Sequence, residues 1–230
     1  MTDFLLLDYN GVIVDDEPLH CEAFFAVLEE EGVPLSREEY DAEFLGMDDR
    51  ACFRLALNRD GRPIVPGDIG HLVDRKRARY LTLAERGLPL VPGAAAFVLE
   101  AARRWPIAIV SGAPRREIAL GLSLAAIAEA VRTVVTCEDL PTSKPDPSGF
   151  RLALARLSAS APGPWRAAVV EDSLPGLAAA RAVGAGCLMI ATAHPAATLA
   201  DADLVWASFD GHHPAELEPL FREVAVDRRV

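Results

Sequence analysis

Four consecutive apolar residues near the start of the chain, Phe4 to Leu7, run straight into Asp8. A short run that is apolar at every position is the pattern of a strand covered on both faces, as in a parallel sheet with helices on either side. In such a sheet ligands collect beyond the carboxyl ends of the strands. Asp8 therefore stands at the reactive end, and Gly11 lets the chain turn sharply behind it. Taken singly, a strand-ending aspartate more often begins an ordinary loop. Three later stretches decide between the two readings.

Behind this strand no strand pattern recurs for a long stretch. Glu17 to Glu31 carries Leu19, Phe24, Val27 and Leu28 at helical spacing and stops at Gly32; Ser36-Arg-Glu-Glu39 is a capping box; Asp48 to Asn58 and Asp68 to Glu85 continue in helical period. A helical block of about seventy residues set into an α/β chain reads as a separate small domain, residues 15–87, held between core segments 1–14 and 88–230. From Gly93 onward helix and strand alternate. Helices are expected over 94–104, 115–122, 147–157 and 175–183, and strands over 107–110, 133–135, 167–170 and 187–190, with an edge strand at 204–206. The expected architecture is an α/β, doubly wound, Rossmann-like parallel sheet with a helical cap domain inserted after the first strand.

Composition narrows the partners. The 230 residues carry a net charge of −11, with 34 acidic against 23 basic side chains, which opposes contact with a nucleic-acid backbone. No apolar run reaches the eighteen or so residues of a membrane helix. The N-terminus has no basic stretch preceding an apolar one, so a cytoplasmic protein is expected, as a monomer or homodimer. Cys21, Cys52, Cys137 and Cys187 are widely spaced and suggest reduced thiols, not a zinc site or a disulfide framework. Lys76 and Lys144 are the only lysines.

The expected strands end in polar residues: Asp8 after the first, Ser111-Gly112 after 107–110, and Glu171-Asp172 after 167–170. Lys144 lies in Thr142-Ser-Lys-Pro-Asp-Pro147, where two prolines stiffen the loop. Carboxylates, a hydroxyl, backbone amides at Gly11 and Gly112, and an ammonium converging on one crevice suit a phosphoryl group. Mg²⁺ would sit on the carboxylates, Ser111 and Lys144 on the phosphate oxygens, and Asp8 in line with phosphorus.

The same residues carry a resemblance. Asp-x-Asn-Gly-Val, Val-Ser-Gly-Ala, Ser-Lys-Pro-Asp-Pro and Val-Glu-Asp-Ser-Leu-Pro-Gly, in that order, closely resemble the haloacid dehalogenase-like hydrolase superfamily over residues 3 to 206. Glu17-Pro-Leu-His20 resembles the branch with β-phosphoglucomutase and phosphoglycolate phosphatase. The resemblance implies hydrolysis of a small phosphorylated metabolite, with Asp8 forming an aspartyl-phosphate and Ser111 and Lys144 binding the transferring group. It implies Mg²⁺ on Asp8, Asp172 and the main-chain carbonyl of Asn10, with Glu171 acting behind them or through water. Glu17 and His20, and Arg50 within Gly46-Met-Asp-Asp-Arg50, are read as substrate contacts from the cap. Lys76, inside Arg75-Lys-Arg-Ala-Arg79, is expected on a solvated basic face or at a substrate phosphate, in preference to a Schiff-base role.

At position 10 the chain departs from the phosphatase pattern, which carries a second aspartate as general acid and base. An amide does neither, at a cost of about 10²–10⁴-fold. Four explanations stay open: a leaving group that needs no proton, a phosphate-binding protein without turnover, an engineered substitution, or another acid nearby. Asp15 and Asp16 are close in sequence, but no spacing brings them to the site. Cleavage of a bond other than a phosphate ester is the remaining alternative; the Glu171-Asp172 pair favours a metal, which carbon–halogen cleavage in this superfamily does not use.

Overall fold

The computed structural model describes residues 1–44, 47–61 and 67–226. It divides into two compact units, Met1–Asp16 with Leu88–Val230, and Glu17–Gly87. After strand β1 (Thr2–Leu7) come four helices, α1 (Glu17–Glu30), α2 (Arg37–Glu43), α3 (Asp49–Arg59) and α4 (Asp68–Arg86). The chain then runs α5 (Ala94–Ala101), β2 (Ile107–Val110), α6 (Arg115–Leu124), β3 (Val131–Val135), α7 (Ser148–Ser158) and β4 (Trp165–Glu171). It closes with α8 (Leu174–Ala182), β5 (Gly186–Ile190), β6 (Leu204–Trp206) and β7 (Arg222–Glu223).

In the first unit six strands lie parallel in the order β3-β2-β1-β4-β5-β6. The winding direction reverses between β1 and β4, so the carboxyl ends of these two strands flank the switch point where such sheets bind ligands. The all-apolar run of β1 serves both faces. Leu5 and Leu7 join the cluster built with α5 and α6, through Phe97, Val98, Ile118 and Leu122. Phe4 and Leu6 join the opposite cluster built with α7 and α8, through Phe150, Leu154, Leu177 and Ala180. Each fully buried side chain of this size contributes about 1.5–3 kcal/mol, so β1 is locked at the centre of the sheet.

Three details differ from the periodicity. Helix α5 stops at Ala101, because Arg103 N–H and Arg104 N–H close tight turns on Glu100 O and Ala101 O ahead of Pro106. β3 begins two residues early, at Val131. β7 was not expected at all: its two residues are exposed and carry no apolar alternation. It runs antiparallel to the first part of β4, at Arg166 and Ala167, just before β5 begins pairing at Ala168.

The helical unit closes around Phe24, whose ring lies 4.7 Å from Phe53, 5.9 Å from Tyr40 and 6.0 Å from Phe44. Its second helix opens on the expected capping box, Ser36 Oγ accepting from Glu39 N–H while the Glu39 carboxylate accepts from Ser36 N–H. Among the described residues no helix is long and apolar enough to cross a membrane. All four cysteines are free thiols.

Behind the reactive end, Tyr9 is fully buried and its hydroxyl donates to Glu117 O at 3.3 Å. A Cβ on Gly121 would stand 1.7 Å from that hydroxyl. Gly121→Ala is therefore expected to destabilise the fold by about 1–3 kcal/mol, and Tyr9→Phe to relieve part of that loss. Urea unfolding midpoints of the two single variants and the double variant check it.

Candidate active site

β1 delivers Asp8 to the switch point with its backbone still in the ladder, the Asp8 N–H donating to Val170 O at 2.9 Å. Immediately afterwards the chain folds back. Ile13 N–H and Val14 N–H donate to Tyr9 O at 2.8 and 3.2 Å, and Gly11 N–H donates to Val14 O at 2.7 Å. Gly11 adopts φ +72°, and a Cβ there would stand 1.9 Å from Asp172 Oδ2. Only a glycine lets this turn and the end of β4 come so close.

Ser111 follows β2 directly, and its N–H continues the ladder to Val135 O at 3.0 Å. Its hydroxyl donates to Asn10 Oδ1 at 3.3 Å and accepts from Ala113 N–H at 3.1 Å. Gly112 beside it is exposed, with open space where a side chain would be. Lys144 reaches in from the loop after β3. Its Nζ lies 2.6 Å from Asp8 Oδ1, donates to Val110 O at 2.9 Å, and pairs with Glu171 Oε1.

Glu171 is fully buried, one oxygen paired with Lys144. Its second oxygen accepts from Asp172 N–H at 3.2 Å, Ser173 N–H at 3.3 Å and Ser173 Oγ at 2.9 Å, and a Cβ on Gly176 would stand 1.9 Å from its carboxyl carbon. Carboxylate oxygens of Asp8, Glu171 and Asp172 lie within 4.8 Å of one another.

The charges do not balance. Burial pushes the Asp8 carboxyl up to about 7, with Glu171 adding to the rise and Lys144 opposing it. Burial, then Asp8 and Glu171, push Asp172 up to about 8. Lys144 is pulled down by burial but held well above its ordinary range by Asp8 and Glu171, so it stays an ammonium. Three buried carboxylates against one ammonium, with hard oxygen donors grouped together, fit a divalent cation on Asp8 and Asp172, backed by Glu171.

A family model for haloacid dehalogenase-like hydrolases matches residues 2–184. The chain belongs to that family. This hydrolase is 32% identical to the protein CbbY of Cereibacter sphaeroides over 199 residues, 82% of this chain and 84% of that one. It is 27% identical to validoxylamine A 7'-phosphate phosphatase of Streptomyces hygroscopicus subsp. limoneus over 213 residues, 87% of this chain and 91% of the other. In structure it resembles an aspartate-to-asparagine mutant of CbbY from Rhodobacter sphaeroides in complex with xylulose-(1,5)bisphosphate. There the TM-score is 0.77 at 25% identity, covering 92% of this hydrolase and 96% of that chain.

The expected residues divide between the two units of the hydrolase. Asp8, Asn10, Gly11, Ser111, Gly112, Lys144, Glu171 and Asp172 share the carboxyl end of the sheet. Glu17, His20 and Arg50 belong to the helical unit. Glu17 accepts from Tyr40 Oη at 2.8 Å, and Arg50 is exposed on the first turn of α3. Gly46 lies outside the described residues.

For Lys76 the solvated face is a misreading. The side chain is buried, with Nζ 2.7 Å from Asp49 Oδ1 and 2.7 Å from His20 Nδ1, while the His20 ring stacks on Tyr80 at 4.1 Å. Helical period puts Lys76 on the inward stripe with Leu72, Val73 and Tyr80, whereas Arg75 and Arg79 pair with Glu30 and Glu31.

Asp16 and Ser173 join the expected residues, one against Asn10 and the other against Glu171. Ser173 is legible as the N-cap before Pro175, accepting from Gly176 N–H at 3.1 Å. Asp16, which meets Asn10, has no such signal.

Because both raised carboxyls ordinarily titrate near 3.8, the folded hydrolase holds more protons than the unfolded chain from there up to about 8. Stability should therefore fall as pH rises through that window. In EDTA the thermal unfolding midpoint is expected to drop between about pH 5 and pH 8, and a divalent cation should restore it at the upper end. Asp172→Asn should flatten the drop and abolish the recovery; Gly11→Ala should abolish the recovery.

Proposed function

We propose that this hydrolase is a Mg²⁺-dependent phosphatase of a small phosphorylated sugar, working through an aspartyl-phosphate on Asp8, with the second half of its reaction slowed by Asn10. The observation that carries the reading is the meeting of Asp8, Lys144, Glu171, Asp172 and Ser111 at the switch point. Family membership and the phosphatases among its relatives support it, as does a CbbY mutant bearing an introduced asparagine that is found with a sugar bisphosphate. Four free cysteines are in keeping with a reducing cytoplasm.

Lys144 pairs with Asp8, and Val110 O and Glu171 hold the ammonium in place, so that its positive charge offsets that of a phosphoryl group brought to Asp8. The Ser111 hydroxyl and the backbone about Gly112 face the same oxygens. Mg²⁺ on Asp8, Asp172 and the Asn10 carbonyl would supply charge neutralisation and Lewis acidity at the phosphoryl group when bound. The Asp8 carboxylate attacks phosphorus, the ester P–O bond breaks, and the leaving oxygen departs with its electron pair. Water then attacks the acyl phosphate and must lose a proton, freeing Asp8 and inorganic phosphate. The Asn10 amide can neither protonate the leaving oxygen nor take the proton from water.

An activated aryl phosphate, whose leaving group needs no proton, should therefore give a burst of phenolate near one equivalent followed by slow turnover, seen by stopped flow with Mg²⁺ and lost in EDTA. Asp8→Ala should remove both phases. Lys144→Ala should slow the burst by roughly 10²–10³-fold and weaken phosphate binding. Saturable phosphate binding with no release from any activated or sugar phosphate would instead identify a binding protein.

A further inference from the structure

Asp16 is buried beneath the loop that follows β1, 2% exposed, and its Oδ1 accepts from Asn10 Nδ2 at 2.9 Å. The other end of the same amide, Asn10 Oδ1, accepts from the Ser111 hydroxyl. The two contacts require different atoms at position 10: a donor toward Asp16 and an acceptor toward Ser111. An amide supplies both, whereas an ionised carboxylate supplies only acceptors and would set oxygen against oxygen at Asp16.

The distance between the two residues is set by the main chain. The turn from Tyr9 to Val14 is closed by its own hydrogen bonds, and Asp15 N–H is tied to Pro89 O at 3.0 Å. The pair therefore meets whichever side chains are present.

We propose that Asp16 is the positioning residue of Asn10. It holds Nδ2, turns Oδ1 toward Ser111, and makes residues 10 and 16 a matched donor–acceptor pair. An aspartate at position 10 is accommodated only when residue 16 becomes a donor. Exchanging both, as Asn10→Asp with Asp16→Asn, keeps both contacts with one hydrogen bond reversed in direction. The kinetic part of this proposal rests on the phosphatase reading; the pairing itself does not.

The experiment compares the parent chain, Asn10→Asp, Asp16→Asn and the double exchange. In EDTA at pH 8, Asn10→Asp should lower the thermal unfolding midpoint by about 5 °C, and the double exchange should recover most of the loss. With Mg²⁺ and an aryl phosphate, Asn10→Asp alone should raise the slow phase by less than about tenfold, and the double exchange by about 10²-fold. Simple bracing by Asp16 would make both single changes harmful and the double worse. Additive midpoint losses, or an Asn10→Asp protein as stable as the parent, overturn the pairing. If Asn10→Asp alone is insoluble, a soluble double exchange supports the pairing and an insoluble one overturns it. Coupled midpoints with no turnover in any of the four proteins leave the pairing standing and sink the phosphatase reading; turnover with additive midpoints does the reverse.

Discussion

The ion pairing of Lys144 with Asp8 and Glu171 is the interaction on which the reactive end of the sheet depends. Desolvating a carboxylate is expensive, and here three are grouped at the ends of two adjacent strands. One ammonium, arriving from a loop 136 residues downstream of Asp8, offsets only part of that cost. The uncompensated remainder shows itself in Asp8 and Asp172, both raised far above an ordinary carboxyl, by burial first and then by Glu171 beside Asp8 and by Asp8 and Glu171 beside Asp172. A cluster of hard oxygen donors in that condition suits a cation.

Holding the carboxylates so close requires that neighbouring backbone leave room. Gly11 and Gly176 do this, one against the Asp172 carboxylate and the other against Glu171. Glu171 is then fixed by Ser173 and two backbone N–H groups, so it serves to position Lys144 and to set the local charge. The reactive carboxylates owe their geometry to small residues that take no part in the chemistry.

Against this intact set, Asn10 stands out by its chemistry and not by its placement. Its amide is satisfied at both ends, by Asp16 and by Ser111, within a loop closed on itself. The amide at position 10 is thus accompanied by a neighbour that suits it. The helical unit shows a comparable economy. Lys76 is drawn inside between Asp49 and His20, while the flanking arginines neutralise the acidic end of α1.

Much of the fold was legible because it rests on local patterns. The apolar run Phe4 to Leu7 marked a doubly covered strand, the Ser36 capping box opened its helix, and the polar residues after β1, β2 and β4 lay where a parallel sheet presents them. That Asp8, Ser111, Lys144, Glu171 and Asp172 belong together followed from strand ends sharing one side of the sheet, and from motifs resembling a known superfamily.

Tertiary structure alone decided the rest. β7 is two exposed residues whose strand state exists only because β4 has a free edge before β5 begins. Lys76 lies in a run of basic residues, and whether its ammonium meets water or Asp49 depends on which face of α4 is covered. Asp15 and Asp16 are equivalent in composition and spacing, yet one is exposed and the other buried against Asn10. Sequence reports which groups the chain carries and the period at which they recur. Which of two adjacent carboxylates meets a given amide is fixed by the closure of a turn, because hydrogen bonds act over about 3 Å and periodicity does not resolve that distance.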